Sequence, residues 1–302
     1  GLRSLTAARA VIPGLWAIPP KKLLEDHPMN TMLNTSFASR ASAFTQPLTL
    51  DALRERAPAV FASGAHERTS SKYTFIPTER VLSGLMSAGF VPMDVRQAQT
   101  RTASPLHARH VLRLRRRFET IQLKDSIPEI IFLNSHDGTS AYQLRMGLYR
   151  VVCTNGLIVS HGAFPAYCVS HRGDVVDEVV TGALKISEQF EGLARQVERM
   201  EERVMFLDEQ IAFAERALAL RFPVQAESCM QPSQLLTCRR PDDAGDDLWS
   251  VLNRVQENLL SGGLSRRSAS GRLTRTRRIT SIRQDVKLNG ALWEMAREAL
   301  AA

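Results

Sequence analysis

The chain has 302 residues, 44% hydrophobic and 23% charged, which is enough apolar content for a sizeable core in one large domain or two small ones. A net charge of +8 and a pI near 9.7 bias it toward polyanions such as nucleic acid. No run approaches the roughly 18 apolar residues of a membrane span, and four scattered cysteines make no disulfide scaffold, so a soluble protein of a reducing, cytoplasmic compartment is expected.

Residues 1–28 contain Pro13, Pro19, Pro20 and Pro28 and little periodicity. Met29 reads as the natural start and residues 1–28 as non-native, so 1–48 is expected to be a flexible N-terminal arm. An α+β core domain is expected over 49–222. Leu50, Leu53 and Ala57 suit a short amphipathic helix. Residues 70–78 (SSKYTFIPT) read as extended. Thr78 suits an N-cap, Val81, Leu82, Leu85 and Met86 form one helical face, and Gly89 fits the position after the helix end. Residues 90–102 then read as a strand with a polar second half.

The segment His107–Arg117 (HARHVLRLRRR) carries the first chemical signal. Strand side chains alternate, so Arg113, Arg115 and Arg117 share one face and recur about 7 Å apart, near the repeat of phosphates along a nucleic-acid strand. The competing use is a charged edge strand that resists aggregation. Ile127–Ser160 follows and reads as a β-meander: an apolar strand at 130–133, the turn Asn134-Ser135-His136-Asp137-Gly138, a strand holding Gln143, Arg145 and Arg150, and an Asn155-Gly156 turn. The Asn134–Gly138 loop suits self-capping by its own side chains better than ligand binding. Cys168 and His171 have metal-like spacing, but no second pair completes a zinc site. No metal and no cofactor are expected.

Residues 175–222 are expected to be helical. Ile186, Phe190, Leu193, Val197, Met200, Val204, Leu207, Ile211, Ala214 and Leu218 follow a 4,3 spacing, a heptad seam. Such a seam packs within the monomer or pairs with another subunit as a homo-oligomer, and Asp208 marks a place where it bends. A helical C-terminal part with a basic loop is expected over 223–302. Asp246 or Asp247 caps a helix from Leu248, and Gly262-Gly263 ends it. Residues 265–283 hold Arg266, Arg267, Arg272, Arg275, Arg277, Arg278 and Arg283 without an acid, a composition expected to stay flexible until it meets a polyanion. A last helix follows, with Val286, Leu288, Leu292, Trp293 and Met295 on its apolar side.

The sequence lacks a P-loop, a G-x-S-x-G, an H-E-x-x-H and a G-x-G-x-x-G, and no catalytic residue is assigned. The segments SSKYTFIPT, ARHVLRLRR, PEIIFLNSHDGTSAY, GLYRVVCTNGL, LLTCRR, DLWSVLNRVQENLLSGG and LNGALWEMA resemble, in order, the blocks of a bacterial domain-of-unknown-function family whose members are labelled plasmid-like or phage-like proteins. The resemblance runs from Met29 to the C-terminus. It implies a mobile element (plasmid, integrative element or prophage) and a bacterial cytoplasm, and it transfers no activity. The element order is also similar to single-strand annealing proteins of the Rad-fifty-two type, which bind DNA in a basic groove of an oligomeric ring.

The expected fold is therefore α+β, an antiparallel meander packed by a long amphipathic helix with a helical C-terminal part. The expected function is binding or annealing of single-stranded DNA without ATP. Arg113, Arg115, Arg117, Arg145, Arg150, Arg272, Arg275, Arg277 and Arg278 would contact phosphates, and Tyr142 or Tyr149 would stack on bases. One alternative is a metal-dependent nuclease using Glu129, His136 and Asp137. Another is a protein-interaction or anti-defence factor.

Overall fold

Apolar residues that alternate, then run together, dictate the centre of the molecule. In the computed structural model, residues 46–302 are described except 72, 100–103, 120, 122, 124–125, 151–155, 160–165, 172–174, 223–229 and 268–270, and 156–159 enter by backbone alone. Residues 1–45, Cys153, Asn155, His161 and most of the 223–232 linker lie outside that set.

A six-stranded antiparallel sheet forms from β1 (Phe90–Gln97), β2 (His110–Arg116), β3 (Ser126–Asn134), β4 (Tyr142–Arg150), β5 (Gly156–Val159) and β6 (Tyr167–Val169). The order is β1-β2-β3-β4-β5, and β6 pairs with the start of β4. Register stacks Val95, Leu112, Phe132 and Leu144 in one row and Leu114, Ile130 and Met146 in the next. Both rows face the main core. The intervening residues Val111, Ile131 and Leu133 face the opposite side and pack there with Ile282 and Val286. That second cover explains the unbroken apolar run Ile130–Leu133, because a strand buried on both faces needs no polar alternation.

The helices among the described residues are α1 (Leu50–Arg56), α2 (Thr78–Ser87), α3 (Val175–Ser187), α4 (Phe190–Glu202), α5 (Leu207–Arg221), α6 (Leu248–Ser261) and α7 (Ile282–Ala301). The fold is α+β with a helical C-terminal part, as expected. The single long helix is corrected to three. Turns at 188–189 and 203–206 interrupt it, and the second is closed by the Glu209 carboxylate, which accepts the Phe206 N–H at 2.7 Å. The seam works inside the monomer through Phe190, Leu193, Val197 and Met200, all buried. Beyond the second turn its phase is lost. Helix α5 buries Gln210, Phe213, Ala214 and Ala217, while Val204, Phe206 and Leu207 lie exposed.

Two further expectations are corrected. Thr78 does not cap α2; Pro77 holds the N-cap position, and the Thr78 side chain is buried. The basic segment is not a free loop. It forms a hairpin of β7 (Ser265–Arg267) and β8 (Leu273–Arg275), held at its base where Gln234 both donates to the Ser265 carbonyl at 3.1 Å and accepts its N–H at 2.7 Å.

Helix α6 is buried from Leu248 to Leu260, as befits a helix enclosed on all sides. Asp247 caps it, accepting the Ser250 N–H at 2.8 Å. Gly262 ends it at φ +70°, where a Cβ would lie 2.6 Å from the Arg277 carbonyl carbon. Its polar residues are partnered. Arg239 donates to Asn258 at 2.6 Å, Arg240 pairs with Glu257 at 2.8 Å, and Gln256 donates to Asn289 at 2.7 Å. Asn289 donates to Asp285, which also binds Arg96 at 2.6 Å, so one polar chain links β1, α7 and α6.

Candidate nucleic-acid interface

The face of the sheet away from the main core carries the charge. Asp94, Arg113, Ile131 and Arg145 form a row across β1–β4. Two residues before Ile131 on β3, Glu129 stands opposite Gly147, so no side chain crowds it from that strand. Its carboxylate accepts from Arg113 Nε at 2.7 Å and from Arg115 Nη2 at 2.8 Å. Glu129 is 1% exposed and the two arginine side chains 13% and 14%. The Arg113 guanidinium also lies 3.3 Å from the centroid of the Tyr149 ring. Burial pulls the Arg113 pKa down, but Glu129, with Asp94 and Tyr149, outweighs it and holds the group above its ordinary value.

The arginine ladder is therefore two-thirds engaged in the structure. Arg117 is exposed at the end of the row, while Arg113 and Arg115 share one buried carboxylate. Arg150 points elsewhere, into a buried ion pair with Asp243 at 2.6 Å. Arg272, Arg275, Arg277 and Arg278 are exposed on the β7–β8 hairpin and the segment that leaves it. The stacking role expected of Tyr142 and Tyr149 is corrected: both are buried, and the Tyr142 hydroxyl donates to the Ile76 carbonyl at 2.6 Å. The nuclease trio is likewise spent. Glu129 holds two arginines and His136 Nε2 bonds Thr78. Asp137 Oδ1 accepts from the Ser135 hydroxyl at 2.6 Å and from the Thr139 hydroxyl at 2.7 Å. Among the described residues, no group of three or more His, Cys, Asp or Glu is placed to hold a metal ion.

What the sequence did not reveal is a cleft of about 1070 Å³ between this face and α7. Leu133, Ala98, Val286 and Ala291 give it an apolar floor, and Arg109, Arg145, Arg283 and Lys287 supply four cations. Arg283 and Lys287 sit four residues apart on α7 and so share a helix face; both are exposed. Arg109 donates to the Thr139 hydroxyl at 3.4 Å. The two acids on the rim are already occupied: Glu294 pairs with Arg297 at 2.9 Å, and Asp137 holds its own turn. Burial pushes the Asp137 carboxyl up, yet the Ser135 and Thr139 bonds and Arg109 outweigh it and keep the group below its ordinary value. The turn residues thus cap themselves, and the cleft keeps an excess of positive charge.

Beside the cleft lies a buried imidazole cluster. Thr78 Oγ1 is 2.9 Å from His110 Nε2, 3.1 Å from His136 Nε2 and 2.9 Å from Asn134 Nδ2, which donates to it. His110 Nδ1 is 3.0 Å from the Ala108 carbonyl, which only accepts, so the network places the His110 proton on Nδ1. His110 Nε2 then accepts the Thr78 hydroxyl proton, and His136 must donate from Nε2. Both rings are neutral in this arrangement. A proton added to His110 would give Thr78 three donors for two lone pairs. Burial lowers the His110 pKa to about 4; burial, then the neighbouring His110, His171 and His107, lowers that of His136 to about 3.

Unfolded imidazoles titrate near 6.5, so between that pH and about 4 the unfolded chain binds protons that the folded one refuses. The stability from this cluster is complete above pH 6.5 and is lost as the pH falls through that window. At pH 5 each ring is expected to cost about 1–2 kcal/mol, from about 1.4 kcal/mol per pH unit. Urea unfolding at pH 7 and pH 5 checks this; an unchanged midpoint would contradict the neutral state of the two rings.

A family model described as "Domain of unknown function (DUF932)" matches residues 65–293, a span that includes the whole sheet and nearly all of the cleft lining. The chain is 41% identical over 274 residues to UPF0380 protein YfjQ of Escherichia coli (strain K12), and 42% identical over 274 residues to UPF0380 protein YafZ of the same strain. Each alignment covers 88% of this chain and 98% of the relative. No solved structure matches. The resemblance to a bacterial domain-of-unknown-function family is borne out. No helix among the described residues is long and apolar enough to cross a membrane.

Proposed function

The chain belongs to the domain-of-unknown-function family DUF932, and for this member we propose binding of single-stranded nucleic acid, DNA in the first instance, in the cleft beneath α7. The observation that carries the proposal is the set Arg109, Arg145, Arg283 and Lys287 around an apolar floor, four cations against the two rim acids Asp137 and Glu294. A positively charged groove that tracks the backbone is one of the two parts of a single-strand site, the other being an aromatic side chain on which bases stack. The β7–β8 hairpin, which precedes α7 in the chain, and the segment that leaves it carry further exposed arginines. No nucleotide-triphosphate motif accompanies the cleft, so binding or annealing without ATP is proposed. A mobile-element role in the bacterial cytoplasm is part of the same proposal.

Fluorescence anisotropy with labelled single-stranded and duplex DNA, across a salt series with and without magnesium, tests it. With four phosphates neutralised, affinity for a single strand should fall about 50-fold between 50 and 200 mM salt, from a slope of about −0.7 per phosphate. Magnesium should cause no cleavage. Absence of binding to either DNA at low salt would overturn the proposal and favour a protein partner.

A further inference from the structure

We propose that the turn leaving β2 is a base-stacking tip, in which Phe118, flanked by Arg116 and Arg117, lies against an unpaired nucleobase of the bound strand. The inference rests on the nucleic-acid reading above and adds an interaction outside the cleft. Phe118 is 90% exposed. It is also the one non-glycine residue with positive φ among those described, at +65°. A bulky residue in that backbone region is an outlier, and glycine or asparagine would adopt it with less strain. The turn is held by backbone bonds: Arg117 N–H donates to the Gly89 carbonyl at 2.6 Å and Glu119 N–H to the Arg116 carbonyl at 3.1 Å. None of these bonds needs the phenyl ring. Among the described residues, no aromatic or cationic group stacks on it.

The side chain therefore carries two costs, strain and exposed apolar surface, with no return inside the monomer. A residue in that condition points to a ligand for the ring. The neighbours define the ligand. Among the described residues, Arg116 and Arg117 are exposed and make no ion pair, and Glu119 is the acid next to them in the chain. A free π face beside two cations matches a base with its adjoining phosphates. The placement fits a single track. Arg109 at the cleft and Phe118 at the tip are nine residues apart on the β2 segment, about 30 Å of extended chain. A strand leaving the cleft along β2 reaches the tip.

The test uses the full chain with Phe118→Gly and Phe118→Trp, read by anisotropy with a labelled oligothymidylate and by urea unfolding. Phe118→Gly should raise the urea midpoint, because strain is relieved, while weakening binding about tenfold. A structural role for the ring would lower the midpoint instead. Phe118→Trp should keep the affinity, and its added emission should be quenched by the oligonucleotide. If Phe118→Gly binds within twofold of the parent while changes at Arg283 and Lys287 abolish binding, the tip is overturned and the cleft stands. If the parent binds no DNA, cleft and tip fall together. Quenching by anionic phosphatidylserine vesicles and not by the oligonucleotide would overturn the tip in favour of a membrane surface.

Discussion

Replacing Glu129 with alanine is expected to lower the folding stability by about 3–5 kcal/mol, the usual consequence of removing one partner from a buried ion pair. Glu129 is 1% exposed and answers two guanidiniums at once, so the variant takes from Arg115 its carboxylate and leaves Arg113, against the Tyr149 ring, with the more distant Asp94 at 3.9 Å. A domain of ordinary stability has only about 5–15 kcal/mol in hand, so the loss should be plain in the urea midpoint. Glu129→Gln should fall between, because its amide keeps one acceptor and turns a donor toward an arginine. A loss under about 1 kcal/mol for Glu129→Ala would mean that the two arginines find water instead. The same geometry makes Arg113→Ala with Arg115→Ala a poor probe of DNA binding. That pair leaves Glu129 as a buried, unanswered carboxylate, and any fall in binding would be mixed with loss of fold.

The cleaner probe is Arg283→Glu with Lys287→Glu on α7. Both side chains are exposed and make no ion pair among the described residues, so the fold should tolerate the change. Two cations become two acids inside a cleft that has four cations in total. Affinity for single-stranded DNA is expected to fall about 100-fold or more at low salt, and the salt slope should shrink by about 0.7 for each phosphate left without its cation. Unchanged affinity with an intact fold would remove the cleft from consideration. Arg150→Gln, by contrast, should act on stability alone, since Arg150 is buried against Asp243.

The strands, their turns and both ends of α6 were legible because each is written locally: alternation in β2, a turn cluster at 134–138, an acid before Leu248 and glycines after Ser261. The breaks within 175–222 were not. The 4,3 spacing records residue type, and it continues through residues 203–206 although the backbone there is not helical. The charge pattern misled for a related reason. Arg113, Arg115 and Glu129 meet only once β2 and β3 are set in register, so a carboxylate 14 residues from Arg115 looks unrelated in the sequence. The cleft is still less visible, because its far wall is a helix that returns to the sheet more than 130 residues after β4 begins. Phe118 was missed since glycine and asparagine are the residues that mark a positive φ in a sequence, and phenylalanine is not.

The Arg150–Asp243 pair has a consequence for how the molecule comes apart. Arg150 ends β4, Asp243 belongs to the segment just before α6, and both are buried. A form that kept the sheet but released the C-terminal helices would leave a guanidinium stripped of its carboxylate at the edge of an apolar core shared by both parts. Such a half-open species is disfavoured relative to both the native and the fully unfolded chain. Amide hydrogen exchange should accordingly find β3, β4 and α6 opening in one cooperative event with a common free energy. In Arg150→Gln that event should divide, with the C-terminal helices exchanging before the strands.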